Sequence, residues 1–327
     1  MFAHKISTTL TPNTQGKKTT MWFKNILLYR FTKPFETSNE TLETLLAESP
    51  FKPCGLTETN QLGWSNPLQK SEQFVHVAQN YWMICLQKQE RILPSSVVNE
   101  QVQEKVNEIE EQQHRKVTRK EKTELKEEIT LQLLPKSFTR TSRHYAYLAP
   151  DKGYMIINTA SAKVADELTS LLRKSVGSLP IRIPSVNQAP NSVMTHWVTE
   201  DNALPEHFTL GYECELTSNG DEKGSIKYKG LELDQDQIDQ QIKSGMEVSK
   251  LAVEWRETMT FILGTDLSIK RIKFGDMLQE QLSDSNAEDA AAQFDAGFAI
   301  MTHEFDKLIP EIFEAFGGED TSAIIDE

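Results

Sequence analysis

A chain of 327 residues, 38% hydrophobic and 25% charged with 13 prolines and 15 glycines, is long enough for two or three domains and too apolar for a disordered or fibrous protein. Its formal net charge of −13 argues at first sight against a polyanion partner, and no apolar run approaches the roughly 20 residues that span a bilayer. The charge is unevenly placed, however: from Asp276 onward there are 14 acidic residues and one basic residue, Lys307, and taking these from totals of 48 and 35 leaves 34 of each sign in residues 1–275. Binding responds to local potential within a Debye length, about 10 Å at 0.1 M salt, so a polyanion-binding face outside that acidic segment is compatible with the acidic total.

Residues 1–20 lack the apolar core of a secretory signal and are poor in arginine, which predicts a mobile leader or an upstream start before Met21. "MWFKNILLYRF" has the content of a strand, and "TSNETLETLLAES" that of a short helix with a Thr37/Glu40 capping box. "KPCGLTETNQLGWSNP" is turn-rich, and "QFVHVAQ" and "YWMICLQKQ" read as extended segments running up to Pro94. From Ser95 the pattern becomes charged helix. Val98, Val102, Val106 and Ile109 form one apolar stripe and Leu125, Ile129 and Leu133 another, with Thr118 and Glu121 as a capping box between them. The spacing predicts a helical hairpin over 95–134 that projects from the body and carries the basic run "HRKVTRKEKTELK" at its bend.

"FTRTSRHYAYLAPDKGYMIINTA" predicts two strands about a turn at 150–153. "SAKVADELTSLLRKSVGSLPIRI" predicts a helix with Ser161 at its start, Gly177 just past its end and Pro180 blocking continuation. Segments 21–94 and 135–185 thus make a first α+β unit, and beyond the linker "PSVNQAPNS" a second is expected over 186–327. In it "HFTLGYECELT" and "GSIKYKGLEL" form a hairpin, "DQDQIDQQIKSG" a helix, and "KLAVEWRETMTFIL" with "LSIKRIKFG" further strands. The acidic C-terminal part is helical, with Phe294, Phe298 and Met301 as core contacts. The fold class is α+β, with two small mixed units and a projecting hairpin.

Chemistry-bearing motifs are missing. There is no phosphate-binding loop, dinucleotide fingerprint, nucleophile elbow or zincin helix, and the seven histidines are scattered. Cys54, Cys85 and Cys214 are odd in number and far apart, which fits buried thiols in a reducing cytoplasm better than disulfides or zinc. No cofactor, metal or catalytic residue is therefore expected. A metal nuclease would need converging carboxylates that sequence alone does not reveal.

What stands out instead is a set of cations on strands and helix ends. Arg115, Lys116, Arg119 and Lys120 lie at the hairpin bend; Lys136, Arg140 and Arg143 follow it; Lys163, Arg173 and Lys174 sit on the helix over 161–176. Lys227 and Lys229 share one face of a strand with Tyr228 on the other, and strict alternation in "SIKRIKF" puts Lys270 on one face and Arg271 and Lys273 on the other. Each is readable as a solvated surface charge or, for Arg173 and Lys174, as a complement to the helix dipole. Several on one surface would suit sequence-independent phosphate contact.

"MWFKNILLYRF", "FKPCG" with "GWSNP", "QERILP", "LLPKSF", "SAK", "LLRKSVGSLP", "RIKFGDML" and "DAGFAIMT", in that order from Met21 to about Gly318, resemble the proteobacterial RdgC family of recombination-associated proteins. The resemblance implies a cytoplasmic, nucleoid-associated, ring-shaped homodimer. Its positively charged hole would pass duplex DNA without sequence preference, single strands being bound more weakly, and it would limit access of the recombinase RecA to DNA; no membrane is involved. It also implies that Phe138, in the intact "LLPKSF", is an apolar dimer contact. At 227–231 the family pattern is more basic than here, where Gly230 and Leu231 replace polar or charged types.

Overall fold

The computed structural model describes residues 21–68, 71–218, 224–230, 235–284, 290–322 and 324. Its strands are β1 (Ile26–Phe31), β2 (Asn60–Ser65), β3 (Val75–Ala78), β4 (Tyr81–Ile92), β5 (Phe138–Ala149), β6 (Tyr154–Asn158), β7 (Ile181–Arg182), β8 (Phe208–Ser218), β9 (Ser225–Lys229), β10 (Met246–Trp255), β11 (Met259–Gly264) and β12 (Ile269–Phe274). The helices are α1 (Asn39–Ala47), α2 (Ser95–Gln113), α3 (Arg119–Leu133), α4 (Ala162–Val176), α5 (Pro190–Thr199), α6 (Gln235–Lys243), α7 (Asp276–Asp284) and α8 (Ala290–Ala315).

The two units expected from sequence share one antiparallel sheet in the order β2-β4-β5-β6-β1-β12-β11-β10-β8-β9, with β3 added to β4 and β7 to β1. The halves join where Ile26 of β1 registers with Ile269 of β12. Two further bonds fasten the joint: the Ile272 amide donates to the Lys24 carbonyl at 2.8 Å, and the Arg271 amide to Asn25 Oδ1 at 3.0 Å.

Period-two alternation divides the first half-sheet into two buried faces. Ile84, Leu86, Ala146, Leu148, Met155 and Ile157 pack under α1 and α4, whose apolar stripe is Ala165, Leu168 and Leu172. On the other face Tyr81, Met83, Tyr147, Tyr154 and Ile156 join a core that continues through the second half-sheet. The 26-residue α8, about 39 Å long, runs across both halves on that side. Its Phe298 meets Tyr147 edge-on at 5.7 Å, Phe305 meets Phe274 at 6.1 Å, and Phe316, just beyond it, stacks on Trp197 at 5.2 Å. Asp306 accepts hydrogen bonds from the hydroxyls of both Tyr81 and Tyr154, tying α8 to the first half-sheet at its polar point.

The hairpin forms with most of its predicted stripes: Val98, Val102, Val106 and Ile129 are buried against one another, with Leu93, Leu125 and Leu133 alongside, while Ile109 is only half-buried and lies outside this cluster. His114 ends α2 in a left-handed conformation, and the Thr118/Glu121 capping box starts α3.

Three local expectations are corrected. α1 is capped by Ser38, whose hydroxyl accepts from the Thr41 amide, rather than by Thr37. The turn-rich stretch contains strand β2, because Gly63 lets the chain at Phe51 lie against it; a Cβ there would stand 2.3 Å from the Phe51 Cα. The stretch read as a linker leads straight into α5, with Pro190 at the first helical position where its missing N–H costs nothing. The tip of the β8–β9 hairpin lies outside the described residues.

Candidate nucleic-acid interface

A cationic surface assembled from several strands lies on the second half-sheet, on the side away from α5 and α8. Strict alternation predicted that β12 would carry cations on both faces, and a bulge overturns this. Thr260 registers with Lys273 but Ile262 with Lys270, so Arg271 and Ile272 together oppose Phe261. Arg271 takes the left-handed conformation at φ 54°, which a non-glycine residue adopts at a cost of about 1 kcal/mol or more. With the alternation reset, Ile269, Ile272 and Phe274 all point into the core, and Lys270, Arg271 and Lys273 are left on the outer side.

On β8, Cys214 is buried while Glu213 and Glu215 project to that same outer side, in register with Lys229 and Lys227 of β9. Glu215 receives Lys227 at 3.2 Å and Lys250 of β10 at 2.8 Å. Glu213 receives Lys229 at 3.8 Å and both terminal nitrogens of Arg271, which spans from β12. Four cations thus share two carboxylates. The glutamate side chains are about four-fifths covered, whereas those of Lys227 and Lys229 are 57% and 65% exposed, so the negative charge lies at the base and the ammonium groups face solvent. The hydrogen bonds from Arg271 to Glu213, and from Lys250 and Lys227 to Glu215, hold both carboxyls below the usual range. Lys273 is exposed and has no ion-pair partner among the described residues; Lys270 reaches Asp266 at 3.9 Å.

At the hairpin bend the expected cluster is present but differently disposed. Arg115 forms a bidentate pair with Glu121 at 2.7 and 3.0 Å, and this bond, with the cap, brings the Glu121 carboxyl down to about 2. Lys120 lies 3.9 Å from Glu124, and Lys116 and Arg119 are exposed. The remaining predicted cations are dispersed. Arg140 pairs with Glu90 on the α4 side of the sheet, while Arg143, on the other face, turns inward to the Asn66 and Pro67 carbonyls and Cys85 Sγ. Lys136 is exposed at the hairpin base, and Lys163, Arg173 and Lys174 point outward from α4.

Lys250 and the two glutamates were not singled out from sequence. The signal for the glutamates is the pairing of "ECE" with "KYK", opposite charges at every second residue of adjacent strands, which is how cross-strand ion pairs appear in sequence; Lys250 lies in neither segment. Phe138 is 84% exposed at the start of β5, opposite Ile92, which is 46% exposed. Among the described residues no three His, Cys, Asp or Glu converge to hold a metal ion, and no helix is long and apolar enough to cross a membrane.

The family model described as "Putative exonuclease, RdgC" matches residues 21–319. Proteins named "Recombination-associated protein RdgC" are similar over nearly the whole chain. That of Aeromonas hydrophila is 45% identical over 303 residues, covering 92% of this chain and 100% of its own length. That of Psychromonas ingrahamii is 44% identical over 300 residues, 91% of this chain and 99% of its own, and one from Pseudomonas putida is 43% identical over 302 residues, 92% and 98%.

Proposed function

The chain belongs to the RdgC family, and from that premise we propose that it is a sequence-nonspecific duplex-DNA-binding protein of the cytoplasmic nucleoid. In this reading it closes around DNA as a ring-shaped homodimer and restrains RecA-dependent recombination by occupying the duplex. The observation that carries the reading is the outer face of the second half-sheet, where Lys227, Lys229, Lys250 and Arg271 share two carboxylates and Lys273 has none. Such a face offers ammonium groups at fixed strand spacing, about 7 Å between Lys227 and Lys229, which suits phosphate contact and reads no base edge. The exposed Phe138 and Ile92 support the dimer, since a solvent-facing pair of this size gains by burial against a second copy. Catalysis is not required, because coating the duplex blocks filament growth and strand exchange by occupancy alone.

The test is fluorescence anisotropy of the purified protein on random-sequence linear duplex across a salt series, with mass measured by light scattering. A dimer whose log K falls against log salt with a slope of about −5 or steeper neutralises roughly six phosphates and fits the reading. No binding at low salt overturns it, and inhibition of RecA that survives loss of DNA binding would transfer the activity to the acidic C-terminal helices. The family description names an exonuclease, so the same duplex should be incubated with Mg²⁺ and with Mn²⁺; shortening of the strand from its ends would establish catalysis in place of occupancy.

A further inference from the structure

The side of the second half-sheet opposite the lysine face holds a cleft of about 900 Å³ between α5, the loop over 203–208, the turn at Arg256 and the C-terminal end of α8. This volume lies in the range of small-ligand sites. Its apolar lining comes from Val193, Pro205, Phe208 and Ala315 and from Trp197, which stacks between Phe208 and Phe316. Its charge is of the other sign from the lysine face: Glu206, Glu311 and Glu314 border it against the single guanidinium of Arg256. That guanidinium is already taken, since it donates to Glu311 Oε1 at 2.6 and 3.2 Å while Glu311 Oε2 accepts from Trp255 Nε1 at 2.6 Å. Glu314 has no cationic partner among the described residues, and Glu206 meets only His207, at 3.9 Å.

The walls are held in one shape. Of eight non-glycine residues with positive φ among the described residues, His207 and Arg256 line the cleft and Asn202 and Glu257 adjoin it. The Arg256 amide donates to the His207 carbonyl at 2.9 Å, which locks the two turns together.

We propose that this cleft binds a basic side chain, arginine or lysine beside an apolar residue, presented by a peptide segment of a partner protein. The apolar lining would take the neighbouring side chain and the stem of the basic one, while Glu314 and Glu206 receive the charged head. A nucleic acid is disfavoured as occupant because its phosphates would meet Glu206 and Glu314, the two carboxylates that Arg256 does not neutralise. Because the cleft and the lysine face lie on opposite sides of one half-sheet, a chain bound to duplex keeps the cleft open to a partner.

The test is calorimetric titration of the full chain with three probes: acetyl-Leu-Arg-Leu-amide, acetyl-Leu-Glu-Leu-amide and spermidine. The arginine peptide binds and the glutamate peptide does not; Glu314→Gln and Glu206→Gln each weaken the arginine peptide about three-fold, as loss of a solvent-exposed ion pair predicts. Val193→Trp obstructs the apolar wall of the cleft and abolishes binding, and if that variant does not fold the glutamine variants carry the test. All folded variants keep wild-type duplex affinity. Equal binding of the two peptides, no heat from the arginine peptide at millimolar concentration, or spermidine binding as tightly as the peptide overturns the proposal. So does loss of dimerisation in the glutamine variants, which would assign the cleft to the contact between subunits.

Discussion

The hairpin bend and the outer face of the second half-sheet carry comparable numbers of cations, yet they hold them differently. At the bend Arg115 has a carboxylate of its own, Glu121, which is also the third residue of the capping box that starts α3, so one charge is consumed in closing the turn while Lys116 and Arg119 stay exposed. On the sheet two glutamates serve four cations, and the excess is presented to solvent from strands fixed by a large core. The bend rests on a core of four buried side chains. A contiguous basic run is therefore a weaker sign of a polyanion site than cations brought together from three strands, because neighbours in sequence are free to satisfy one another locally.

Neutralising the sheet cations should give the largest effect. In Lys227→Gln/Lys229→Gln/Lys273→Gln the carboxylates keep Arg271 and Lys250, so the strands stay paired. Duplex affinity measured by anisotropy is expected to fall by about two orders of magnitude, with a salt slope shallower by roughly three. Neutralising Arg115, Lys116, Arg119 and Lys120 together should matter less, by about ten-fold at most, with circular dichroism checking that the hairpin survives loss of the Arg115–Glu121 bond. A hairpin variant as damaged as the sheet variant would reverse the comparison and place the bend against DNA.

The difference between the two regions also accounts for what was legible in the sequence. The hairpin was readable in detail, stripes, bend and capping box alike, because helical order is set within four residues. Phe294, Phe298 and Met301 were readable as core for the same reason. The sheet face was only half readable. Alternation placed Lys227 and Lys229 together, but their sharing of Glu213 and Glu215 depends on a register between strands, and the outward turn of Arg271 depends on a bulge at a non-glycine residue. The joining of the halves through β1 and β12 leaves no local mark at all, since it pairs Ile26 with a residue 243 positions away. Strand β2 was hidden by a glycine serving close backbone approach rather than a turn, and α5 by a proline serving as its first residue.

A gain of affinity sharpens the comparison further. Glu213→Gln/Glu215→Gln leaves the four cations without counter-charge, and duplex binding should tighten about three- to ten-fold at low salt, with the gain fading as salt screens it. The same substitution removes ion pairs from the native state, so the thermal midpoint should fall slightly while affinity rises. Bend and sheet predict different outcomes here, because Glu121→Gln keeps the Thr118 cap but loses the charge that Arg115 pairs with, and should lower hairpin stability slightly with little effect on binding.

The smallest expected effect is that of pH, and its sign follows from the direction of the carboxyl shifts. Glu213 and Glu215 are held below the ordinary carboxylate range, by Arg271 in the first case and Lys250 in the second. The stability they contribute is therefore fully present above about pH 4.5 and is lost only as pH falls through their lowered values. Their protonation would free the cations and strengthen binding, but only in that same acidic range. From pH 7.5 to 5.5 at constant ionic strength, a duplex held on the sheet face should be bound with nearly constant affinity. A flat anisotropy profile over those two pH units fits contact through the sheet, and an affinity that rises several-fold there would overturn it, because neither carboxylate gains a proton in that range.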